Sequence, residues 1–465
     1  MIQKKGCRIG HLFYLLCLMM FLNSLVGCAP DPENSQRDAS DPELFHQAMK
    51  QLTDVIVYDI FSPPAASRVY AYPSIAAYEV LQYAYPEYQS LSGQLTGFSG
   101  IPAPDPDVTY CYPLAAVKAF LTVGRQLIFS DDQILAYEQE ILQQFQEMGI
   151  PSAVYQRSLT YGEKAAGATL QWAAVDGYAT TRTYPKHPVR EDDPASWQPT
   201  PPGYMDGIEP HWREIRPFVL DSADQFVPAP PTPFDTTKGS LFHRELMEVY
   251  QALDHPDKRE RVAIAEFWDC NPYVSHQVGH VMYATKKITP GGHWINIAGI
   301  ACRKAEANLM QSVATYTLTS IALADAFISC WDEKYRSNLI RPETVINRYY
   351  DESWRPALQT PPFPEHTSGH SVISRAAAVA LTALFGDSFA FLDTSEEEYG
   401  LPARSFSSFL QASEEAAISR LYGGIHYRPA IDEGLRQGEL VGRYVVQNIK
   451  MRVLLSERDP NRPGQ

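Results

Sequence analysis

Three short clusters between residues 331 and 432 carry side chains able to hold and process an oxyanion. The first, Lys334-Tyr335-Arg336-Ser337-Asn338-Leu339-Ile340-Arg341-Pro342, sets a lysine and an arginine seven positions apart. That is about two helical turns, so both reach one side of a helix end, and Pro342 pushes Arg341 out of the helix. Taken alone, cations at a helix C-terminus are usually solvated charges that complement the dipole. The second cluster, Phe363-Pro364-Glu365-His366-Thr367-Ser368-Gly369-His370-Ser371, runs directly into the apolar stretch from Val372 to Phe385. A helix start offers unpaired amides and the positive end of the dipole, which suit an oxyanion, and Ser368 and Gly369 stand at that start. A serine before a glycine is equally an ordinary N-cap. The cap leaves His370 unexplained, because a protonated imidazole gains nothing from the dipole in a first turn, whereas a proton donor facing a bound oxyanion accounts for it. In the third cluster, Ser419-Arg420-Leu421-Tyr422-Gly423-Gly424-Ile425-His426-Tyr427-Arg428-Pro429, one helix ends at Arg420, two glycines break it, and Pro429 starts the next. His426 is thereby displayed on a short, bent connection.

In that order, Lys-x6-Arg-Pro, Ser-Gly-His and Ser-Arg-x5-His resemble the motif shared by the vanadium-dependent haloperoxidases and the type-2 phosphatidic acid phosphatases. Any one block is weak and three in order are strong, although they directly cover only the stretch from about Trp331 to Asp432. The resemblance implies that Lys334, Arg341 and Arg420 bind oxyanion oxygens, with the Ser368 hydroxyl and the Gly369 amide completing the cradle. It implies that His426 bonds the central vanadium or phosphorus and that His370 is the acid/base. Such a cradle is physically sensible, since a tetrahedral trianion needs several fixed cations, arginine offering paired planar donors and lysine a point charge.

In the haloperoxidase version the cofactor is vanadate, a Lewis acid toward hydrogen peroxide, and oxygen passes to a halide without a change in the metal's oxidation state. In the acid phosphatase version His426 attacks the phosphorus of a phosphomonoester or lipid phosphate, and His370 protonates the departing alcohol. Chain length, together with Trp331 and Phe363 at positions that resemble the chloroperoxidase pocket, favours the haloperoxidase branch. A reading from another class is a non-catalytic lipoprotein that only binds an oxyanion. Two departures from the family pattern concern the surroundings of the histidines. His366-Thr367 stands where relatives carry an aromatic and a proline, and the acid expected four residues after the ligand histidine is displaced to Asp432, six beyond His426.

The elements that must position these clusters are helices. Apolar residues recur at three- and four-residue spacing from about Pro42 to Asp176, as in Leu44, Met49, Leu52, Val55 and Ile56. Between Thr180 and Thr237 the chain is proline-dense, which excludes long helices and predicts an ordered loop or seam. Helical periodicity returns over 238–253, 257–285, 303–333, 369–385, 405–421 and 430–454, and no strand-like alternation of any length is read. The expected fold is all-α: two packed helical bundles with a proline-rich connecting segment. The expected organisation is a lipoprotein signal peptide over 1–27, a disordered tether over 28–41, an N-terminal helical half with its proline-rich seam over 42–237, a C-terminal helical catalytic half over 238–455 and a disordered tail over 456–465. His276-Gln277-Val278-Gly279-His280 sets two histidines one helical turn apart, but glutamine replaces the glutamate that a zinc protease uses as base. Gly291-Gly292-His293-Trp294 reads as a turn before the next helix, and Trp197, Pro199 and Tyr204 as packing within the seam.

At the scale of the chain, Lys4, Lys5 and Arg8 precede an apolar run from Leu12 to Leu22, and the run ends in Leu25-Val26-Gly27-Cys28. This resembles a bacterial lipobox, so Cys28 is the expected lipidation site and mature N-terminus of an exported lipoprotein of the cell envelope, held to the membrane through acyl chains. No later segment is read as apolar for long enough to cross a bilayer. Loss of residues 1–27 removes three positive charges and takes the net charge from -15 to -18. An acidic chain without a basic stripe argues against nucleic-acid binding. Cys111, Cys270, Cys302 and Cys330 have no zinc-ribbon spacing; export permits disulfides among them, and buried free thiols are equally open. The expected partners are hydrogen peroxide and a halide, or a phosphomonoester; the sequence does not indicate an oligomeric state.

Overall fold

A computed structural model describes residues 38–278 and 280–452. Cys28, the first ten residues of the expected tether and the tail over 456–465 lie outside the described residues. The last tether residues pack rather than dangle: Ala39 is buried, and the Asp41 side chain accepts from the Glu43 amide at 2.9 Å to cap the first helix. That cap, followed by Pro42 at the first helical position, starts α1 (Pro42–Tyr58). It is followed by α2 (Pro63–Leu81), α3 (Tyr112–Leu127), α4 (Asp131–Glu147), α5 (Ser152–Ala173) and the single turn α6 (Tyr178–Thr181). α2 packs on α3 and α5, and α3 on α4 and α5, forming the first bundle.

Beyond the seam come α7 (Leu241–Gln251), α8 (Lys258–Phe267), the antiparallel hairpin β1 (Tyr273–Val278) and β2 (Val281–Lys286), and α9 (Pro290–Lys304). Then follow α10 (Leu309–Ser337), α11 (Pro342–Tyr349), α12 (Gly369–Phe385), the short pair β3 (Phe391–Asp393) and β4 (Arg404–Phe406), α13 (Phe409–Tyr422) and α14 (Arg428–Asn448). α12 is the centre of the second bundle, packed against α10, α13 and α14. α10 also packs on α2, so one continuous hydrophobic core runs through both bundles. The all-α architecture of two packed bundles is therefore observed.

Four expectations are corrected. The helix expected over 257–285 stops at Phe267, and Asn271-Pro272 prevents it from resuming, because proline lacks the donor and restrains the residue before it. The residues beyond it pair as a hairpin in which His276 hydrogen-bonds Thr285 Oγ1 at 2.9 Å and stacks on Tyr283, so His276 and His280 never share a helix face. The helix expected from 303 begins at Leu309, where Asn308 and Gln311 form a reciprocal capping box. The expected Gly291-Gly292 turn is instead the first turn of α9, capped by Thr289, whose hydroxyl accepts from the Gly292 amide. α10 is long and apolar enough to cross a membrane by length and composition, contrary to the expectation above, but its apolar window is wholly buried inside the protein.

The seam is ordered and fastened at two places, to the link that follows α10 and to α10 itself. Ser196 bridges Leu339, the Trp197 amide donates to the Asn338 carbonyl at 2.8 Å and the Ile340 amide to the Ala195 carbonyl at 2.8 Å. Farther on, fully buried Asp325 on α10 accepts the amides of Phe218, Val219 and Leu220 at 2.7–3.0 Å. Such backbone pairing lets an irregular segment be buried without orphaned polar groups.

Candidate active site

α10 delivers Trp331 and Lys334 in its last turns, Arg341 is the residue before α11, α12 begins at Gly369, and α13 ends beside Arg420. Four helix ends thus meet at one point, and the bend between α13 and α14 carries His426 into it. That bend requires glycine: Gly424 has a φ of +80°, and a side chain there would press on Trp354 and Pro356.

His426 is 2% exposed. Its Nδ1 lies 2.8 Å from Glu365 Oε1, which also accepts the Tyr427 amide at 2.8 Å. Its Nε2 lies 3.1 Å from Arg341 Nη1. A guanidinium only donates, so Nε2 is the acceptor and Nδ1 carries the proton that goes to Glu365. Burial first, then Arg341 and Lys334, hold the imidazole well below its ordinary pKa and keep it neutral. Burial pushes Glu365 up to about 7, against the pull of Arg341. The acid that orients His426 is therefore Glu365, not Asp432. Asp432 is exposed, just past the first turn of α14 and near Arg428. Glu365 sits inside the second cluster, and an acid amid Phe, Pro and apolar helix was the available signal in the sequence.

Arg341 is fully buried; its Nε donates to the Phe363 carbonyl and its Nη1 to the Ile425 carbonyl, both at 2.9 Å, while Nη2 is buried without a partner. Lys334, also fully buried, donates to the carbonyls of Pro364, Glu365 and Thr367 at 3.1, 3.2 and 2.5 Å. Desolvation lowers Lys334 to about 8 and Arg341 to about 10. Arg420 is anchored through Nη2 to the Trp268 and Ala265 carbonyls at 2.7 and 3.2 Å. The phenyl ring of Phe363 lies 5.0 Å from Lys334 Nζ and 5.1 Å from the Arg341 guanidinium carbon, and 5.0 Å from the Trp331 ring. Ser368 caps α12, accepting the Ser371 amide at 3.4 Å.

A cavity of about 560 Å³ opens onto this point. Gly369, His370, Arg420 and His426 face it from one side, Trp331 and Phe363 from another, and the seam from Arg182 to His211 forms its outer wall. His370 is held well below its ordinary pKa by burial and by Arg420, and its Nε2 is buried without a partner. Lys334 and Arg341 sit behind Phe363, and their charge acts on His426 from there.

An orphaned donor, Arg341 Nη2, and the unpartnered His370 Nε2, beside Arg420 and the neutral His426 imidazole, make a set of groups that fits a tetrahedral oxyanion able to carry a proton. Over 90% of its length this chain matches the crystal structure of a bacterial vanadium-dependent iodoperoxidase, with 50% sequence identity and a TM-score of 0.85, covering 98% of that protein. The chain belongs to the vanadium haloperoxidase superfamily. A family profile described as the VCPO second helical-bundle domain matches residues 314–453. Holo- and apo-type structures of a bacterial vanadium-dependent chloroperoxidase share the fold at 16% identity, with TM-scores of 0.61 and 0.62, covering 90% and 85% of this chain and 96% and 94% of theirs. No curated protein sequence matches the chain. The haloperoxidase frame accounts for the placement of all three sequence clusters around one cavity, and Glu365 is the residue that motif reasoning missed.

Proposed function

We propose that this protein is a vanadium-dependent haloperoxidase that oxidises a halide with hydrogen peroxide, with vanadate held by His426 Nε2. The observation that carries the reading is the His426 ring itself: neutral, fixed by Glu365, and presenting its unprotonated Nε2, which here accepts from Arg341, at the base of the cavity. Arg341, Arg420 and Lys334 supply the positive charge that a vanadate oxyanion needs, with the Gly369 amide at the start of α12 and the Ser368 hydroxyl as hydrogen-bond donors. When bound, vanadate supplies Lewis-acid activation of peroxide. His370, neutral and oriented into the cavity, takes and returns a proton at an oxygen of the bound anion. Trp331 and Phe363 form an apolar wall that keeps water from that oxygen and offers a polarisable surface to a large halide. The 50% identical relative is an iodoperoxidase, and iodide is accordingly the halide we assign.

Purified protein reconstituted with orthovanadate is expected to convert iodide to triiodide with peroxide, and His426→Ala to lose that activity. Hydrolysis of a phosphomonoester through His426, without halide oxidation, would instead place the chain with the acid phosphatases. Iodide oxidation undiminished in His426→Ala would remove the assigned centre. The lipobox assigns Cys28 as the acyl anchor of an exported envelope lipoprotein. Expression in a bacterial host with labelled palmitate should label the wild type and not Cys28→Ala; equal labelling would overturn the anchor.

A further inference from the structure

A second cluster of metal-binding side chains lies beside the active site and is not used by the halide reaction. His293 in the first turn of α9, Cys270 in the link after α8 and Glu396 just beyond β3 are all buried, and their ligand atoms lie within 4.8 Å of one another. Cys270 Sγ is 3.4 Å from His293 Nδ1, and Glu396 Oε1 is 3.1 Å from the same nitrogen. The other ring nitrogen, Nε2, is 2.8 Å from Asp393 Oδ2. Glu396 is 1% exposed, yet neither of its carboxylate oxygens has a hydrogen-bond partner. A buried carboxylate without donors is costly unless a cation meets it.

We propose that Cys270, His293 and Glu396 form a zinc site with three protein ligands, with Asp393 fixing the histidine from behind. Sulfur, imidazole nitrogen and carboxylate oxygen are the ligand types that zinc takes, and tetrahedral bonds of its usual length set such atoms roughly 3.2–3.6 Å apart, close to the 3.4 and 3.1 Å that separate His293 Nδ1 from Cys270 and Glu396. With Nε2–H donated to Asp393, Nδ1 is left as the ligand, the carboxylate–histidine–metal arrangement that orients and strengthens an imidazole ligand. The ion would tie α9, the β3 segment and the 268–270 link together. That link matters to the active site, because Trp268 stacks on His293 at 4.6 Å and its carbonyl anchors Arg420.

The inference is independent of the halide reaction, and its test reads metal directly. Full-length protein is incubated with zinc, dialysed, and its metal counted by mass spectrometry. About one zinc per chain is expected in the wild type and in His426→Ala, with at least a tenfold loss in both Cys270→Ser and Glu396→Gln. Glu396→Gln preserves shape, so circular dichroism of that variant separates metal loss from unfolding. Replacing zinc by cobalt(II) should give a thiolate charge-transfer band that disappears in Cys270→Ser. Failure of the wild type to retain zinc would overturn the site, leaving a protonated His293 bridging two carboxylates. Zinc lost in His276→Ala but kept in Cys270→Ser would overturn it too, assigning the metal to the hairpin surface.

Discussion

Glu365 sets the tautomer of His426, and its removal gives the sharpest test at the level of single residues. Glu365→Leu leaves the imidazole free to rotate and to protonate either nitrogen, so vanadate affinity should fall roughly 10- to 100-fold, as for other lost partners of ligand histidines. Asp432→Asn should leave that affinity unchanged; vanadate calorimetry on both variants decides between the two acids. Lys334 adds a pH signature. Burial depresses it to about 8, and a bound anion pulls it back up, so binding takes up a proton once the free lysine has lost its own. Phosphate affinity should therefore weaken as pH rises through about 8, and Lys334→Met should remove that part of the dependence when both are titrated by calorimetry. These residues differ in how readable they were. Lys334, Arg341, His370, Arg420 and His426 were legible because each lies in a block with its own internal spacing. Glu365 lies 61 positions from the histidine it holds, and no local pattern links them.

At the scale of elements, the helix that begins at Ser368 is positioned by close approach to α14. Gly434, Gly438 and Gly442 are one turn apart and face it; a Cβ on Gly438 would come within 2.2 Å of the Val372 carbonyl oxygen, and one on Gly434 within 3.0 Å of the Ser368 carbonyl oxygen. Gly438→Ala must push the two helices apart. It should cost roughly 1–3 kcal/mol by urea unfolding and weaken vanadate binding by shifting Gly369 and His370, whereas a variant as stable as wild type would contradict this role. Most helices were legible because their apolar stripes repeat with helical spacing, and α12 matches its expected range of 369–385. The hairpin was not, because a ten-residue helix followed by short strands of mixed polarity presents no sustained alternation over 257–285. Gly291 and Gly292 misled for a related reason: they sit in a first turn, where the Thr289 cap outweighs their poor helix propensity.

For the whole molecule, the two bundles and the seam depend on α10, which packs on helices of both bundles and carries Lys334 at its end. Asp325 holds three seam amides at its middle, and Asp325→Leu would orphan all three in a dry interior. That substitution should cost roughly 3–5 kcal/mol, measured by denaturant unfolding, and should open the cavity wall that the seam provides. Proline density made the seam legible as non-helical, but its attachment to Asp325 and to the Asn338 carbonyl depends on contacts more than a hundred residues apart. Cys111, Cys270, Cys302 and Cys330 are all free thiols, a choice the sequence had left open. The central claim is that these distant elements assemble a vanadate site on His426. Vanadium anomalous scattering from a vanadate-soaked crystal tests it most directly. One peak is expected within bonding distance of His426 Nε2, among Arg341, Arg420 and the start of α12; a peak elsewhere, or none at saturating vanadate, would contradict it.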